Sequence, residues 1–434
     1  MIFIFILMII NSFLEAFSIG LLIPLLSLLF ENSSSNQISE FFYSFFNTQP
    51  SINFFLFLLS IIFFLKYSFT IFFTKVQTQF ILNLKAELSA RLFKDYLDKS
   101  IKFHSKTSSA TLVRNIDKEV GIYVNNFITP IMSFLLASLT IIFILILLIF
   151  VNFKSTILLI VIFGSVNLII IKSFSKKLNQ IGTLRQHHDK FSLKYIYEAV
   201  RTIIEVKILE LEELYKKNFF YHINRIAKIS TLRAIIGVLP KIIFEATLIG
   251  IIFFMIYYYT SEKLPFDDLI SQLVIYATAA FRLMPSLNLI TTSNQKIKFG
   301  YPAAQLLSKA NSLINEIKNK TKKLDKDEIN FNSSLSLEKI SFSYDTHTNI
   351  FSNISAVIKK NHTIGIKGKN GSGKSTIVKI ICGLLTPTQG NIKIDGKKIS
   401  LENTNWKSLI GYIPQEINLI EGTIKENICL GIDE

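Results

Sequence analysis

Six apolar runs constrain this chain more than anything else in it. They lie at about 1–30, 52–84, 124–152, 155–175, 233–260 and 266–292. A helix needs about 20 apolar residues to cross a bilayer, and each run supplies them. Lipid offers no partner to a free amide, so such runs are expected as helices. Half of the residues are hydrophobic and 39 are Phe, more apolar than a soluble enzyme. Met1–Phe30 has no basic start and contains Glu15 and Pro24, so it reads as a first span, not a cleaved leader.

Orientation follows from the loops. Residues 31–51 hold no Lys or Arg, and the links between spans three and four and between five and six hold only Lys154 and Lys263. Residues 85–118 carry Lys85, Arg91, Lys94, Lys99, Lys102, Lys106, Arg114 and Lys118, and 172–233 is equally basic. The positive-inside rule places those two segments, and the C-terminal domain, in the cytoplasm. They read as helical extensions of the spans, with turns expected at Phe103–Thr111 and Thr202–Tyr215. In the first outer loop Ile38, Phe41, Phe42, Phe45 and Phe46 form one apolar stripe, either lying in the outer membrane interface or packed on the spans. Pro24, Pro130, Pro240 and Pro285 lie in or beside spans, as hinges or as static kinks.

Three basic residues sit within spans: Lys66, Lys241 and Arg282. A charge at that depth costs at least about 2.5 kcal/mol, so each faces a polar cavity or a counter-charge. Glu15 and Glu245 are candidate partners for a purely structural pairing. The other reading is a cationic patch that receives an anionic substrate. It is preferred because the bases outnumber the acids and lie on three different spans. The net charge of +16 belongs to the cytoplasmic extensions, and no aromatic–basic platform accompanies it, so no nucleic-acid partner is expected. The two cysteines, Cys382 and Cys429, make neither a disulfide framework nor a zinc site.

After a charged linker at 311–334 the composition turns soluble. Strands are expected at Ser334–Tyr344, Ile354–Lys359, Thr363–Lys367 and Ile410–Pro414, with a hairpin at Asn391–Ile399 turning on Asp395-Gly396. Between them, Gly368, four residues, then Gly373-Lys374-Ser375 fit the P-loop pattern, followed by a helix expected over Ser375–Leu385. Glycines let backbone N–H groups wrap phosphate oxygens, and the helix N-terminus adds positive potential. Lys374 suits the β- and γ-phosphates, and Ser375 suits Mg²⁺.

Six spans followed by such a domain resemble an ABC exporter half-transporter. That resemblance makes Gly368–Thr376 a Walker A loop, with Asn370, Gly371, Ser372, Gly373, Lys374, Ser375 and Thr376 around ATP. It makes Tyr344 an adenine-stacking aromatic and Gln415 the Q-loop glutamine that joins Ser375 on Mg²⁺, with Gly422–Ile428 as the segment that follows. The fold implied is an all-α six-helix transmembrane domain (1–310), a linker (311–334) and a partial α/β P-loop nucleotide-binding domain (335–434). It also implies an integral inner-membrane protein, a homodimer and ATP-driven export. A narrower resemblance, to bacterial lipid-linked oligosaccharide flippases, rests on Phe13–Gly20, the aromatic outer loop and Phe281–Ser286. It implies that Lys66, Lys241 and Arg282 meet the diphosphate of a polyprenyl-linked glycan. The alternatives are an exporter of peptides or hydrophobic compounds, and a non-catalytic fragment. The sequence departs from the family pattern after Gln415: no signature motif, Walker B aspartate, catalytic glutamate or switch histidine appears before Glu434. The chain is therefore expected to be truncated and to hydrolyse no ATP by itself.

Overall fold

The computed structural model describes residues 2–20, 52–151, 153–262, 283–309, 329–344, 349–399, 405–415, 417 and 419–429. The aromatic outer loop, Pro24, Arg282 and most of the linker lie outside them. The chain divides into two compact units, Met1–Leu97 with Ser108–Ile314, and Asp98–Thr107 with Asn315–Glu434.

The described residues of the first unit are almost all helical. They comprise α1 (Ile2–Gly20), α2 (Ile52–Leu97), α4 (Ser109–Arg114), α5 (Val120–Tyr123), α6 (Thr129–Val151), α7 (Phe153–Arg201), α8 (Ile203–Ile208), α9 (Glu212–Ser261) and a further helix at 283–309. Among the described residues four helices are long and apolar enough to cross a membrane. The expected extensions are real: α2, α7 and α9 run 46, 49 and 50 residues without a break. On one arm turns fall at 107–108, inside the expected Phe103–Thr111, and at 98–100, ahead of it; on the other they fall at Thr202 and 209–211, as expected. The apolar centre packs Ala16, Ile144, Leu159, Phe163, Phe244, Leu283 and Leu287.

Two details show how the bundle handles backbone that a plain helix would leave unsatisfied. Pro240 lies inside α9 and has no N–H, so the carbonyl of Ile236 loses its usual donor. The buried Gln295 side chain, from 283–309, donates to that carbonyl at 3.2 Å. Nearby, Asn115–Glu119 and Val124–Ile128 are π-helical turns on either side of α5. A Cβ on Gly300 would stand 2.5 Å from the carbonyl oxygen of Asn126, so only glycine permits this close approach.

The cytoplasmic end of this unit holds a buried ionic network that the sequence did not announce. Glu119 is fully buried and accepts from Arg185 at 3.3 Å and from Gln186 at 3.2 Å. Arg185 also donates to Asp189 at 3.1 Å, and Arg114 donates to Asn115 at 2.9 Å and to the carbonyl of Gln186 at 3.0 Å. Burial pushes the Arg114 guanidinium below its ordinary value, while Glu119 and then Asp189 hold it up. Buried charges persist only when partnered in this way.

The second unit contains α3 (Ile101–Lys106) and a four-stranded antiparallel sheet in the order β2 (Phe351–Lys359), β1 (Ser334–Phe342), β3 (Gln389–Ile394), β4 (Lys397–Lys398). In β1 the apolar positions are Leu335 and Leu337, then Ile340 and Phe342. A register shift between Leu337 and Ile340, with Lys339 at φ 48, returns both pairs to the core. These side chains pack with Ile380, Leu385, Ile392, Ile394 and Trp406, and Ile101 packs against the same cluster. The expected hairpin forms, with Asp395 and Gly396 at positive φ in its turn. Asp395 also accepts from the backbone N–H groups of Asn332, Ser333 and Ser334 at 2.7–2.8 Å.

Two expected strands do not form. Thr363–Lys367 and Ile410–Pro414 are irregular, with Ile364 and Ile366 47% and 46% exposed and Ile413 87% exposed. A strand is defined by its ladder, and neither segment finds a pairing neighbour among the described residues. Periodicity reports a readiness to pair and says nothing of whether a partner is there.

Candidate nucleotide and substrate sites

The P-loop helix is α10, Lys374–Ile381, four residues shorter at its end than the periodicity suggests. Gly373 caps it at φ 88, a left-handed conformation. A Cβ at Gly373 would stand 2.7 Å from Ile350 Cγ2 and 2.8 Å from Phe351 Cδ1, so both its φ and its neighbours require glycine. Ser372 N–H donates to the carbonyl of Lys369 at 3.2 Å, tightening the loop, and Gly371 also has positive φ, 81. The Lys374 ammonium folds back into the loop and donates to the carbonyls of Gly368 and Lys369 at 2.8 and 2.9 Å. Asn370, Gly371 and Ser375 are exposed, and Thr376 is buried under the helix. The far end of α10 is held by the buried Trp406, whose indole N–H donates to the carbonyl of Ile381 at 2.8 Å. That satisfies one of the carbonyls a helix end leaves free.

Gly368, Lys369, Ser372, Gly373 and Lys374 therefore come together as one exposed loop. Tyr344 is linked to it through the core: its ring meets Phe342 edge-on at 4.9 Å, Phe342 lies 6.3 Å from Phe351, and Phe351 abuts Gly373. Phe351 and Trp406 position the loop, and nothing in the sequence pattern marked either for that task. Gln415 is exposed and makes no hydrogen bond to the loop among the described residues. The residues present fit ATP with Mg²⁺: an exposed glycine-rich loop, the Lys374 ammonium lying on it and an exposed hydroxyl at Ser375 are the groups that phosphates and a hard cation take. The segment after the loop ends in α11 (Ile424–Ile428), set by a capping box in which Thr423 and Glu426 exchange hydrogen bonds of 3.2 and 2.6 Å.

The three basic residues in spans are not gathered in one place. Lys66 donates to the buried Ser18 hydroxyl at 3.1 Å and lies 5.6 Å from the ring centres of Phe63 and Tyr67. It borders a polar seam on α1, α2 and α6: Thr70 donates to Asn11 at 3.0 Å, and Thr140 donates to Ser12 at 3.1 Å. Lys241 instead faces Glu245 one turn away at 3.8 Å, with both side chains exposed. Arg282 lies outside the described residues.

Comparison with known proteins agrees with this arrangement. The ABC transporter transmembrane region family matches residues 1–282, and the ABC transporter family matches 351–434. The structure of a bacterial Atm1-family ABC exporter with ATP bound shares the fold, with a TM-score of 0.73 and 15% identity over all of this chain and 74% of that one. The Lactococcin-A transport/processing ATP-binding protein LcnC of Lactococcus lactis is 29% identical over 244 residues, 55% of this chain. A multidrug resistance ABC transporter ATP-binding and permease protein of the same species is 39% identical over 103 residues, 23% of this chain. The chain spans 33% and 17% of the lengths of those two relatives. With its apolar helical bundle, its P-loop unit and both family matches, this chain belongs to the ABC transporter family, as a multi-pass membrane protein with a cytoplasmic nucleotide-binding domain.

Proposed function

We propose that the chain is half of an ATP-driven exporter that works as a homodimer and moves an amphipathic anionic lipid, of the polyprenyl-diphosphate oligosaccharide kind, between membrane leaflets. ATP and Mg²⁺ would occupy the loop of Gly368–Thr376, with Lys374 on the phosphates, Ser375 and Gln415 on the metal, and Tyr344 against the base. A bound nucleotide would supply a polyanion, and Lys374, which now donates to the carbonyls of Gly368 and Lys369, would be the residue to hold it. The position of α3, with Ile101 against the core of the nucleotide unit, supports a role in passing the effect of nucleotide binding on.

Lys66 is the observation that carries the substrate reading. An ammonium in an apolar helix, held on the buried Ser18 hydroxyl, offers a phosphate a positive charge where lipid offers none. Lys241, already opposed by Glu245, contributes less than the sequence pattern suggests. The second reading, export of a peptide or hydrophobic compound, is favoured by that pairing and by the names its relatives carry.

With the chain in detergent, Lys66→Met is expected to weaken binding of a polyprenyl-diphosphate glycan while leaving photo-crosslinking of ATP intact. Lys374→Ala should remove the crosslink. Unchanged glycan binding by Lys66→Met would favour the second reading, and undiminished crosslinking of Lys374→Ala would show the loop to be misassigned.

A further inference from the structure

On the arm formed by α7 and α9, beyond the spans, His188 of α7 and His222 of α9 face each other with their Nδ1 atoms 2.9 Å apart. Neither belongs to the nucleotide loop or to the polar seam around Lys66. Phe191 stacks on the His222 ring, 5.3 Å between centres and 10° from parallel, and Tyr195 lies 5.7 Å away at 29°. Tyr221 meets the same ring edge-on at 5.1 Å. These rings hold one imidazole in place, while both histidines stay partly exposed, so protons reach them from water. From His188, α7 runs on to its end at Arg201, and α8 follows. At 1.5 Å per residue the pair stands about 20 Å from α8.

We propose that His188 and His222 form a proton-operated latch, which ties α7 to α9 in neutral surroundings and releases them in acid, so that acid loosens the arm that carries α8. The latch does not depend on what the chain exports. A hydrogen bond between two ring nitrogens needs one to donate and the other to accept. The pair can make it as long as one ring is neutral. When both rings are protonated, both Nδ1 atoms carry hydrogen. The bond is then lost, and two positive charges meet across its length.

The surroundings add to that repulsion. On α9, Arg225 lies over Tyr221 at 5.4 Å. On α7, Lys190 and Lys194 lie 6.0 and 5.9 Å from the Phe191 ring centre, with Lys194 opposed by Glu198 at 3.5 Å. Asp189 pulls the other way, but it already meets Arg185 at 3.1 Å and, from the turn at 115–119, Lys118 at 3.7 Å. Burial, then His187 and Arg225, holds His188 below its ordinary value, against Asp189. Burial, then His188 and His187, does the same for His222. Because the folded values are depressed, the contribution of the pair is present above the unfolded value of about 6.5 and is lost as pH falls through the folded ones.

The test is amide hydrogen exchange of the full chain in detergent, read by mass spectrometry at about pH 7.5 and about pH 5.5, either side of the ordinary histidine value. Labelling times are scaled so that an unstructured amide exchanges equally at both. In acid, residues 195–215 are expected to exchange about two- to twelvefold faster, the worth of one net hydrogen bond. His188→Gln and His222→Gln should each abolish that difference, because a glutamine amide can donate or accept and so partners the remaining histidine in either protonation state. His104→Gln, on the other arm, should keep it. Circular dichroism identifies a glutamine variant that has unfolded, and the other then stands in for it. Equal exchange at both pH values in the parent chain, or an acid effect that survives in either folded glutamine variant, would overturn the proposal.

Discussion

Asp395 shows how much one half-buried side chain can organise. Its carboxylate caps three successive backbone N–H groups, of Asn332, Ser333 and Ser334, and so fastens the start of β1 to the hairpin turn. The N–H of Asn332, then that of Ser334, holds its pKa below the ordinary carboxylate value. Because the folded value is depressed, its contribution is present above the unfolded value of about 3.9 and is lost as pH falls through the folded one. Trp406 is the chain's single tryptophan and lies in the same core, so its fluorescence reports this unit. Acid titration in fixed urea should show a loss of structure in the parent chain whose acid dependence Asp395→Asn flattens. An unchanged acid profile in Asp395→Asn would separate the carboxylate from that stability. The turn itself was legible from Asp395-Gly396, but the three donors were not, since they lie more than sixty residues away in sequence.

Among the elements, α9 makes the clearest demand on its neighbours. Pro240 frees the Ile236 carbonyl in a buried setting, and Gln295 meets it. Gln295→Leu should leave that acceptor unsatisfied and destabilise the bundle by about 1–3 kcal/mol, read from thermal unfolding in detergent. In a Pro240→Ala background the restored N–H supplies the missing donor, so the same change should cost less. Equal costs in the two backgrounds would show that Gln295 serves something else. The freed carbonyl could be expected from the proline alone, whereas its side-chain partner comes from the helix at 283–309. The bulge in β1 is the opposite case. The phase change from Leu335 and Leu337 to Ile340 and Phe342 is written in the sequence, and the register shift follows it.

At the scale of the molecule, the arm at α8 exposes Ile203, Ile204, Ile208 and Leu209 at 49–74%. In the proposed homodimer these residues are expected to meet the second copy, because a cytoplasmic segment gains nothing by holding them in water. Ile204→Asp with Ile208→Asp should shift the chain in detergent from dimer to monomer, read by analytical ultracentrifugation, without weakening ATP crosslinking at Lys374. A retained dimer would place the contact elsewhere.

The sequence by itself determined the class of this protein. Apolar run length dictates membrane helices, loop charge sets their orientation, and the spacing from Gly368 to Ser375 builds a phosphate-binding loop. These are local properties, set by backbone satisfaction and by residue type within one stretch. Tertiary structure decided what is not local: that Glu119 is buried among Arg114, Arg185 and Gln186, that Lys241 meets Glu245 while Lys66 meets Ser18, and that Phe351 and Trp406 brace the P-loop. It also decided that two strand-like segments stay unpaired. A buried charge, a close glycine or a ladder bond takes its energy from its partner, and the partner is chosen by the fold.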